Sequence, residues 1–212
     1  MYEDEAWLNC HPDDLWIFDK LIVAKKLGYI CGPVGVDVPK PGKYIVRPCV
    51  NIMGMGQGAS FEYLTEDTDA LTKYNVYTNN HNKLGYFWCE VFEGRHLSVD
   101  YKTNPNQRSI KQGLTVEGFR SKNNPLWKFD KWIRINEYVK FPKVLYALQG
   151  KYDCINCEFI GDKLIEVHLR PNHDIDDFNE AIPVWNNESI TPPENYIYVE
   201  DKDYNRIGFF KR

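Results

Sequence analysis

The strongest constraint on the fold lies in the segment Tyr152–Leu169, where two stretches of β-type residues flank the dipeptide Gly161-Asp162. A Gly-Asp pair in this setting is a strong signal for a tight turn, so the segment predicts a β-hairpin. Along its second strand, polar and apolar side chains alternate, and alternating residues of a strand point to opposite faces. The polar face carries a carboxylate, an imidazole and a guanidinium, from Glu166, His168 and Arg170.

A second carboxylate, Glu158, lies on the first strand of this hairpin and can join Glu166 on the polar face. Two neighbouring carboxylates suit a hard divalent cation, which prefers oxygen ligands. Without a cation they repel, which raises the pKa of one of them. A solvent-exposed strand with an ordinary salt bridge explains the same pattern, and these residues alone do not decide between the two interpretations.

A glycine-rich loop with the sequence Asn51-Ile-Met-Gly-Met-Gly-Gln-Gly58 follows a short β run that ends at Arg47-Pro48. Glycines let backbone N–H groups approach phosphate oxygens closely, so this loop is a candidate phosphate cradle. It is not a Walker A loop, because no Gly-Lys-Ser/Thr follows, and a β run rather than the helix of a dinucleotide fingerprint comes next. An ordinary glycine-rich hairpin loop remains the alternative.

The remaining local patterns predict an amphipathic helix over 13–26, a helical segment over 141–148 and a strand-rich chain otherwise. Short strands are expected at 43–46, 59–64, 86–92 and 96–101. The tail after Ile182 is rich in Pro, Asn and Tyr, and we expect loop and short strands there. Composition alone sets no domain boundary.

Charge and cysteine usage exclude several classes of protein. The net charge of −4 gives no general attraction to nucleic acid or anionic lipid. No apolar run reaches the roughly 18–20 residues of a membrane span, and the acidic N-terminus is not a signal peptide. We therefore expect a cytoplasmic protein with reduced cysteines. Cys154-Ile-Asn-Cys157 invites a metal or redox interpretation, but a second ligand pair is missing and the motif lies in a β run, which favours packing.

Five pieces of the chain, in this order over about residues 19–174, resemble the ATP-grasp superfamily. They are a helix start, a strand ending in a cation and proline, a glycine-rich loop, a hinge with a glutamate, and a closing Glu-x-Asn-like strand. In this sequence they read Asp19-Lys20-Leu21, Tyr44-Ile-Val-Arg47-Pro48, Gly54 to Gly58, Cys89-Glu90-Val-Phe-Glu93-Gly94, and Glu166-Val-His168-Leu-Arg170-Pro171. Arg47 replaces the usual lysine, and His168 replaces the usual asparagine.

The resemblance implies an α+β fold in which two lobes with antiparallel sheets clasp ATP. It implies a single domain over 1–185, with lobes at about 13–88 and 89–185, and a C-terminal extension over 186–212. ATP-grasp enzymes usually carry an N-terminal domain before this point. We therefore expect a minimal form whose small-molecule or peptide substrate is held by the tail, by a partner protein or by a homo-oligomer.

The resemblance also assigns roles to individual residues. Catalysis would involve Lys20 and Arg170, the latter at the acyl-phosphate oxygens. ATP would contact Lys20, Arg47, Gly54, Gly56, Gly58 and Glu90, with His96 at the position of the ribose contact. Mg²⁺ or Mn²⁺ would be held by Glu158, Glu166, His168 and Asn172, and the imidazole favours Mn²⁺.

The reaction that the resemblance implies is activation of a carboxylate as an acyl phosphate, followed by attack of an amine. Two alternatives stay open. One is a non-catalytic nucleotide-binding or interaction module on a degenerate scaffold, and the other is a kinase of the same fold that stops after phosphoryl transfer.

Overall fold

The computed structural model describes residues 3–51, 56–65, 85–104, 109–172, 174–175, 177–203 and 205–212. It divides into two compact units. The smaller unit comprises Leu15–Phe92 and Pro125–Trp127, and the larger comprises Met1–Asp14, Glu93–Asn124 and Lys128–Arg212. Two antiparallel sheets with few helices confirm the predicted α+β class.

The sheet of the smaller unit has four antiparallel strands in the order β1-β4-β2-β3. Their bounds are β1 Cys31–Pro33, β2 Gly42–Pro48, β3 Ser60–Leu64 and β4 Tyr86–Glu90. Three of them confirm strands that the sequence predicts. One core cluster of this unit joins the helix residue Ala24 to Phe87 and Cys89 of β4, so the helix that precedes the sheet packs on it.

The predicted helix over 13–26 is divided at Asp19 in the structure. A 3₁₀ helix covers Pro12–Phe18, and the helix α2 covers Lys20–Lys26. The Asp19 side chain accepts hydrogen bonds from the backbone N–H groups of Leu21 and Ile22, so it serves as the N-cap of a new helix. The apolar periodicity of the sequence continues through this break, which is why periodicity alone predicts one helix.

The sheet of the larger unit has eight strands in the order β11-β12-β10-β7-β6-β5-β8-β9, and every pair of neighbours is antiparallel. The strands are β5 His96–Asn104, β6 Ser109–Phe119, β7 Lys131–Arg134, β8 Cys154–Ile160, β9 Lys163–His168, β10 Glu180–Trp185, β11 Ile197–Asp203 and β12 Arg206–Lys211. The unit also contains the helix α1, Glu3–Leu8, and the 3₁₀ helix Lys143–Leu148. No helix in the described ranges is both long and apolar enough to cross a bilayer.

The C-terminal residues form part of this sheet. The sequence predicts an extension over 186–212, and in the structure β12 pairs with β10 while β11 forms the edge beyond it. Phe209 of β12 is fully buried and packs with Ala181 and Ile175. The last strand therefore contributes to the core of the larger unit, and β11 extends the sheet at its edge.

The predicted hairpin turn at Gly161-Asp162 is confirmed, and Gly161 has a second role. Its φ is +60°, and a Cβ at this position would lie 2.8 Å from the carbonyl oxygen of Glu93. Gly94 approaches as closely from the other side, since a Cβ there would lie 2.7 Å from the Cα of Gly161. The turn between β8 and β9 thus touches the segment that leads into β5, and only glycine fits this contact.

We expect Gly161→Ala to lower the melting temperature by several degrees. A left-handed alanine costs roughly 1–2 kcal/mol, and each kcal/mol corresponds to about 2–4 °C for a chain of this length. The contact with Glu93 adds to this cost. Gly28→Ala is the matched control, because Gly28 has φ +74° with open space around its missing Cβ. Equal shifts for the two variants in thermal unfolding would show that the close approach contributes nothing.

Candidate functional site

A β-bulge brings the two predicted carboxylates onto one face of the larger sheet. Phe159 pairs with Leu164, but Glu158 pairs with Glu166, so Ile165 is an extra residue in β9. Without this extra residue, Glu158 would stand opposite Ile165, and Glu166 would point to the other face. The bulge therefore places Glu158 and Glu166 directly opposite each other, and their side chains lie on the same face.

Two imidazoles accompany these carboxylates. The Nε2 atom of His96 lies 3.1 Å from Glu158 Oε2, and Nε2 of His168 lies 3.8 Å from Glu158 Oε1 and 3.4 Å from Glu166 Oε1. His168 and Glu166 are buried, whereas the side chain of Glu158 is 26% exposed. The His96 ring also packs edge-on against Phe129. The four polar side chains form one cluster on the sheet.

The pKa of Glu158 is lowered, whereas the sequence analysis predicts a raised pKa for one of the two carboxylates. Burial alone raises the pKa of Glu158, but hydrogen bonds and charge interactions with His168 and His96 outweigh burial and hold the pKa well below its usual range. The imidazoles thus compensate the negative charge that the sequence analysis expects to be repulsive. Glu158 is ionised at neutral pH in this arrangement.

The described parts of the chain contain no group of three or more His, Cys, Asp or Glu side chains arranged to hold a metal ion by themselves. Mg²⁺ in nucleotide sites, however, is commonly bound through one or two carboxylates together with phosphate oxygens. The opposed pair of Glu158 and Glu166 fits that requirement. In the structure the Oδ1 of Asn172 accepts from the backbone N–H of Asp174 and its Nδ2 donates to Ser98, and its role as a metal ligand stays a prediction.

The smaller unit carries the predicted phosphate-binding cations. Lys20 is the first residue of α2 and is buried, with its Nζ donating to Oδ1 of Asn51, the first residue of the glycine-rich loop. Its backbone N–H donates to the carbonyl of Cys49 at 2.7 Å. Lys20 is therefore fixed beside the point where β2 leads into the loop.

Arg47 lies next to the same point. It stands opposite Phe87 on β4, and its guanidinium carbon lies 5.3 Å from the centre of that ring. Burial and then Asp19 raise the pKa of the Cys49 thiol to about 11, whereas Lys20 and Arg47 lower it. The backbone N–H of Lys20 donates to Cys49, and Arg47 lies two residues before Cys49, so both cations belong to the point where β2 leads into the glycine-rich loop.

Two of the three predicted loop glycines are described, and Gly54 lies outside the described residues. Gly56 and Gly58 both have positive φ, +65° and +82°. A Cβ on Gly58 would lie 2.4 Å from the Tyr86 hydroxyl, whereas a Cβ on Gly56 would meet no atom within 4 Å. Backbone conformation favours glycine at both positions, and the close approach of Tyr86 favours it at Gly58 as well.

Glu90 forms two hydrogen bonds to Ile30, the residue that precedes β1. Its Oε1 accepts from the backbone N–H of Ile30 at 2.8 Å, and its own N–H donates to the carbonyl of Ile30 at 2.9 Å. The carboxylate therefore fixes the start of β1 against the end of β4. The predicted contact of Glu90 with an adenine ring remains a prediction.

Arg170 follows β9 and is partly buried. Its Nη1 donates to the Pro171 carbonyl at 3.2 Å. Burial raises the pKa of the nearby Asp174 carboxyl, while Arg206 and Arg170 lower it. Arg170 thus lies just beyond the strand that carries Glu166 and His168.

The fold was compared with solved structures. The N5-carboxyaminoimidazole synthetase from Staphylococcus aureus, complexed with ADP, aligns over 93% of this chain and 67% of its own, with 12% identity and a TM-score of 0.59. The L-amino acid ligase from Bacillus licheniformis aligns over 92% and 66%, with 9% identity and a TM-score of 0.57. These neighbours share one architecture. The chain has the ATP-grasp fold.

A third solved neighbour with the ATP-grasp fold is the biotin carboxylase domain dimer of the Hydrogenobacter thermophilus 2-oxoglutarate carboxylase, in complex with MgADP, ADP and bicarbonate. It covers 92% of this chain and 62% of its own, with 11% identity and a TM-score of 0.59. This chain thus spans about two thirds of the length of its neighbours. No protein-family model matches its sequence, and no curated protein sequence matches it significantly.

Several polar residues on the sheet of this ATP-grasp fold have no role in the sequence analysis. Asp100 and Asn156 are buried and stand opposite each other on β5 and β8, and Ser98 stands opposite Glu158. Since cross-strand partners point to the same side of a sheet, these residues share the face of Glu158 and Glu166. The alternation of His96, Ser98 and Asp100 with apolar residues marks a polar face of β5 in the sequence. The strand that pairs with it, β8, begins fifty residues after β5 ends, at Cys154.

The two cysteines of the Cys-x-x-Cys motif lie in β8. Burial raises the pKa of Cys154 to about 12 and the pKa of Cys157 well above its ordinary value. Both are therefore protonated thiols at neutral pH, and protonated thiols are poor nucleophiles and poor metal ligands. This favours the packing interpretation.

Proposed function

We propose that this chain binds ATP with a divalent cation and activates a carboxylate as an acyl phosphate for attack by an amine. The observation that carries the proposal is the opposed pair of Glu158 and Glu166 on the sheet of an ATP-grasp fold. The cations at the base of the glycine-rich loop support it independently. The substrate-level part of the proposal rests on likeness of fold to ligases that are 9–12% identical.

Each group of residues has one task in this proposal. Lys20 and Arg47 neutralise phosphate charge, and the guanidinium of Arg47 binds oxygens with a fork of two N–H donors. The N–H groups around Gly56 and Gly58 approach the phosphates closely because no side chain intervenes. Glu158 and Glu166 hold the cation. A cation bound there supplies charge neutralisation at the phosphoryl group.

The reaction is phosphoryl transfer followed by acyl transfer. A carboxylate oxygen of the acceptor attacks the γ-phosphorus, the bond to the bridging oxygen breaks, and ADP leaves with that electron pair. The amine then attacks the acyl carbon, inorganic phosphate leaves with its electron pair, and the amine nitrogen loses a proton. Catalysis of this kind consists mainly of positioning and charge stabilisation, and Arg170 supplies positive charge to the acyl-phosphate oxygens.

A second candidate function is nucleotide binding without catalysis, and the contacts of Glu158 favour it. His96 Nε2 lies 3.1 Å from one of its oxygens and His168 Nε2 lies 3.8 Å from the other, so a cation competes with two imidazoles for this carboxylate. Release of ADP with and without added carboxylates and amines separates the two functions. Hydroxylamine intercepts an acyl phosphate, so its trapping also distinguishes a ligase from a kinase of the same fold.

Nucleotide binding is the first test of the proposal. A ligand at a hundred times its Kd stabilises the folded state by about 2.7 kcal/mol if it does not bind the unfolded chain. At about 2–4 °C per kcal/mol, we expect Mg-ATP or Mn-ATP to raise the melting temperature by several degrees. GTP is expected to raise it less, since the segment after Glu90 is predicted to suit adenine. No shift with any purine nucleotide at millimolar concentration, with either metal, would contradict the proposal.

A further inference from the structure

A buried hydrogen-bond network lies beside the carboxylate pair, and Asp100 is at its centre. Oδ1 of Asp100 accepts from Asn156 Nδ2 at 2.8 Å and from the backbone N–H of Asn172 at 3.0 Å, and Oδ2 lies 3.3 Å from the same N–H. Ser98 Oγ accepts from Asn156 Nδ2 at 2.9 Å and from Asn172 Nδ2 at 3.0 Å. The network joins β5, β8 and the segment after β9.

This network holds the segment after β9 at a fixed point. Asn172 contributes its backbone N–H, its side-chain N–H and its side-chain carbonyl, the last of which accepts from the Asp174 backbone at 2.8 Å. Pro171 has a nearly fixed φ, so little freedom remains between Asn172 and the end of β9 at His168. Arg170 lies within this short span, and its backbone position follows from the two anchored ends.

The position of the network relative to the site is set by strand register. Ser98 pairs with Glu158, Asp100 pairs with Asn156, and Asn156 pairs with His168. Ser98 on β5 is two positions from His96, and Asn156 on β8 is two positions from Glu158, so each lies on the same face as the carboxylate cluster. Asp100 follows Ser98 by two positions and shares this face. A shift of the network would move the groups that the proposed function uses.

We propose that Asp100 is a positioning residue that anchors Asn172 and thereby fixes Arg170 relative to Glu158 and Glu166. This inference rests on the proposed function for the role of Arg170, while the anchoring itself does not. Asp100 touches no reacting atom in this scheme. It is a buried carboxylate, 5% exposed. It accepts hydrogen bonds from the side-chain amide of Asn156 on β8 and from the backbone N–H of Asn172 after β9.

The alternative is that Asp100 merely stabilises the larger unit, and Asp14 provides a matched control. Asp14 is equally buried, at 4% exposed, in the same unit. Its oxygens accept from Lys151 Nζ at 3.0 Å and from the Tyr152 hydroxyl at 2.9 Å, and both partners precede β8 in the chain. Removal of Asp14 therefore reproduces the loss of a buried, hydrogen-bonded carboxylate without touching Asn172.

Amide hydrogen exchange measured by NMR tests the anchoring directly. In Asp100→Ala we expect the amide proton of Asn172 to exchange at least about tenfold faster than in the wild type, because it loses its buried acceptor. Asp14→Ala should leave this proton unchanged within about twofold. Asp100→Asn keeps one acceptor oxygen, so an intermediate rate is expected, and it replaces the alanine variant if that variant does not fold. The inference is overturned if Asn172 exchange is unchanged, or if both alanine variants accelerate it equally.

A second measurement connects the anchoring to the site. We expect Asp100→Ala to bind Mg-ADP within about threefold of the wild-type Kd and to lose at least about tenfold in ATP turnover, because only positioning is disturbed. Equal losses of turnover in Asp100→Ala and Asp14→Ala would overturn the role in positioning. If the wild-type protein binds no nucleotide, the proposed function fails, and the exchange experiment still decides the anchoring.

Discussion

Glu166→Gln is expected to reduce metal-dependent ATP turnover by at least about a hundredfold while leaving the fold nearly as stable as before. A metal ion at a phosphoryl group contributes several kcal/mol to the transition state, and about 1.4 kcal/mol corresponds to a factor of ten in rate. Glutamine keeps the volume of the side chain but not the charge that holds a cation. Glu166 forms an ionic contact with His168 at 3.4 Å, and a glutamine oxygen can still accept there.

Glu158→Gln is expected to behave differently, although it also removes a carboxylate from the proposed cation site. Glu158 contacts both His96 and His168, and these contacts hold its pKa well below the usual range. A carboxyl whose pKa is lowered by folding stabilises the fold above its unfolded pKa, and this contribution disappears as the pH falls through the folded pKa. We therefore expect Glu158→Gln to lose stability at neutral pH in addition to turnover.

Glu117→Gln is the matched control for both variants. Glu117 lies on β6 of the same sheet and pairs across the strand with Leu97, so it points away from the face of Glu158. It forms an ion pair with Arg95 at 2.7 Å, and pairs near the surface contribute at most about 1 kcal/mol. Turnover is measured as ADP release with Mg²⁺ and with Mn²⁺, and stability by denaturant unfolding. If Glu166→Gln turns over ATP as fast as Glu117→Gln, Glu166 holds no catalytic cation.

The sequence predicts those parts of the fold that depend on neighbouring residues. The turn at Gly161-Asp162 and the strands around Arg47 and Glu90 are signalled by runs of β-type residues and by turn residues within a few positions. Strand order is different, because β10 lies between β7 and β12, and no local pattern records such a pairing. The eight-stranded sheet therefore emerges only when the whole chain is folded.

The same division applies to the candidate site. Glu158 and Glu166 are recognisable from the hairpin, but their position on one face depends on the bulge at Ile165, which a plain alternating pattern does not reveal. Glu90 meets a partner at Ile30, sixty positions earlier. The sequence analysis does not identify Asp100 for the same reason, because its hydrogen-bond partners lie on β8 and after β9. Sequence patterns identify polar residues on a strand, and register decides which of them meet.

Arg47→Ala is expected to weaken Mg-ADP binding by about 10- to 100-fold, because a hydrogen bond to a charged group contributes about 1.5–3 kcal/mol. Arg47 lies on β2 two residues before Cys49, whose carbonyl accepts from the backbone N–H of Lys20, so both cations stand at the base of the glycine-rich loop. Arg47→Lys is expected to recover part of the affinity, since lysine restores the charge without the two-pronged geometry of the guanidinium.

Lys43→Ala is the control that separates phosphate binding from packing. Lys43 lies on the same strand and the same side as Arg47, and its Nζ lies 4.3 Å from the centre of the Phe61 ring, just as the Arg47 guanidinium lies over Phe87. Removing either cation costs a contact with an aromatic ring. Lys43 lies near the start of β2, whereas Arg47 lies near its end, where the chain meets Lys20 at Cys49. Calorimetric titration with Mg-ADP measures the Kd of the folded Arg47→Ala and Lys43→Ala variants beside that of the wild type. If Arg47→Ala and Lys43→Ala bind with the wild-type Kd, Arg47 contributes to the fold of β2 and not to the nucleotide site.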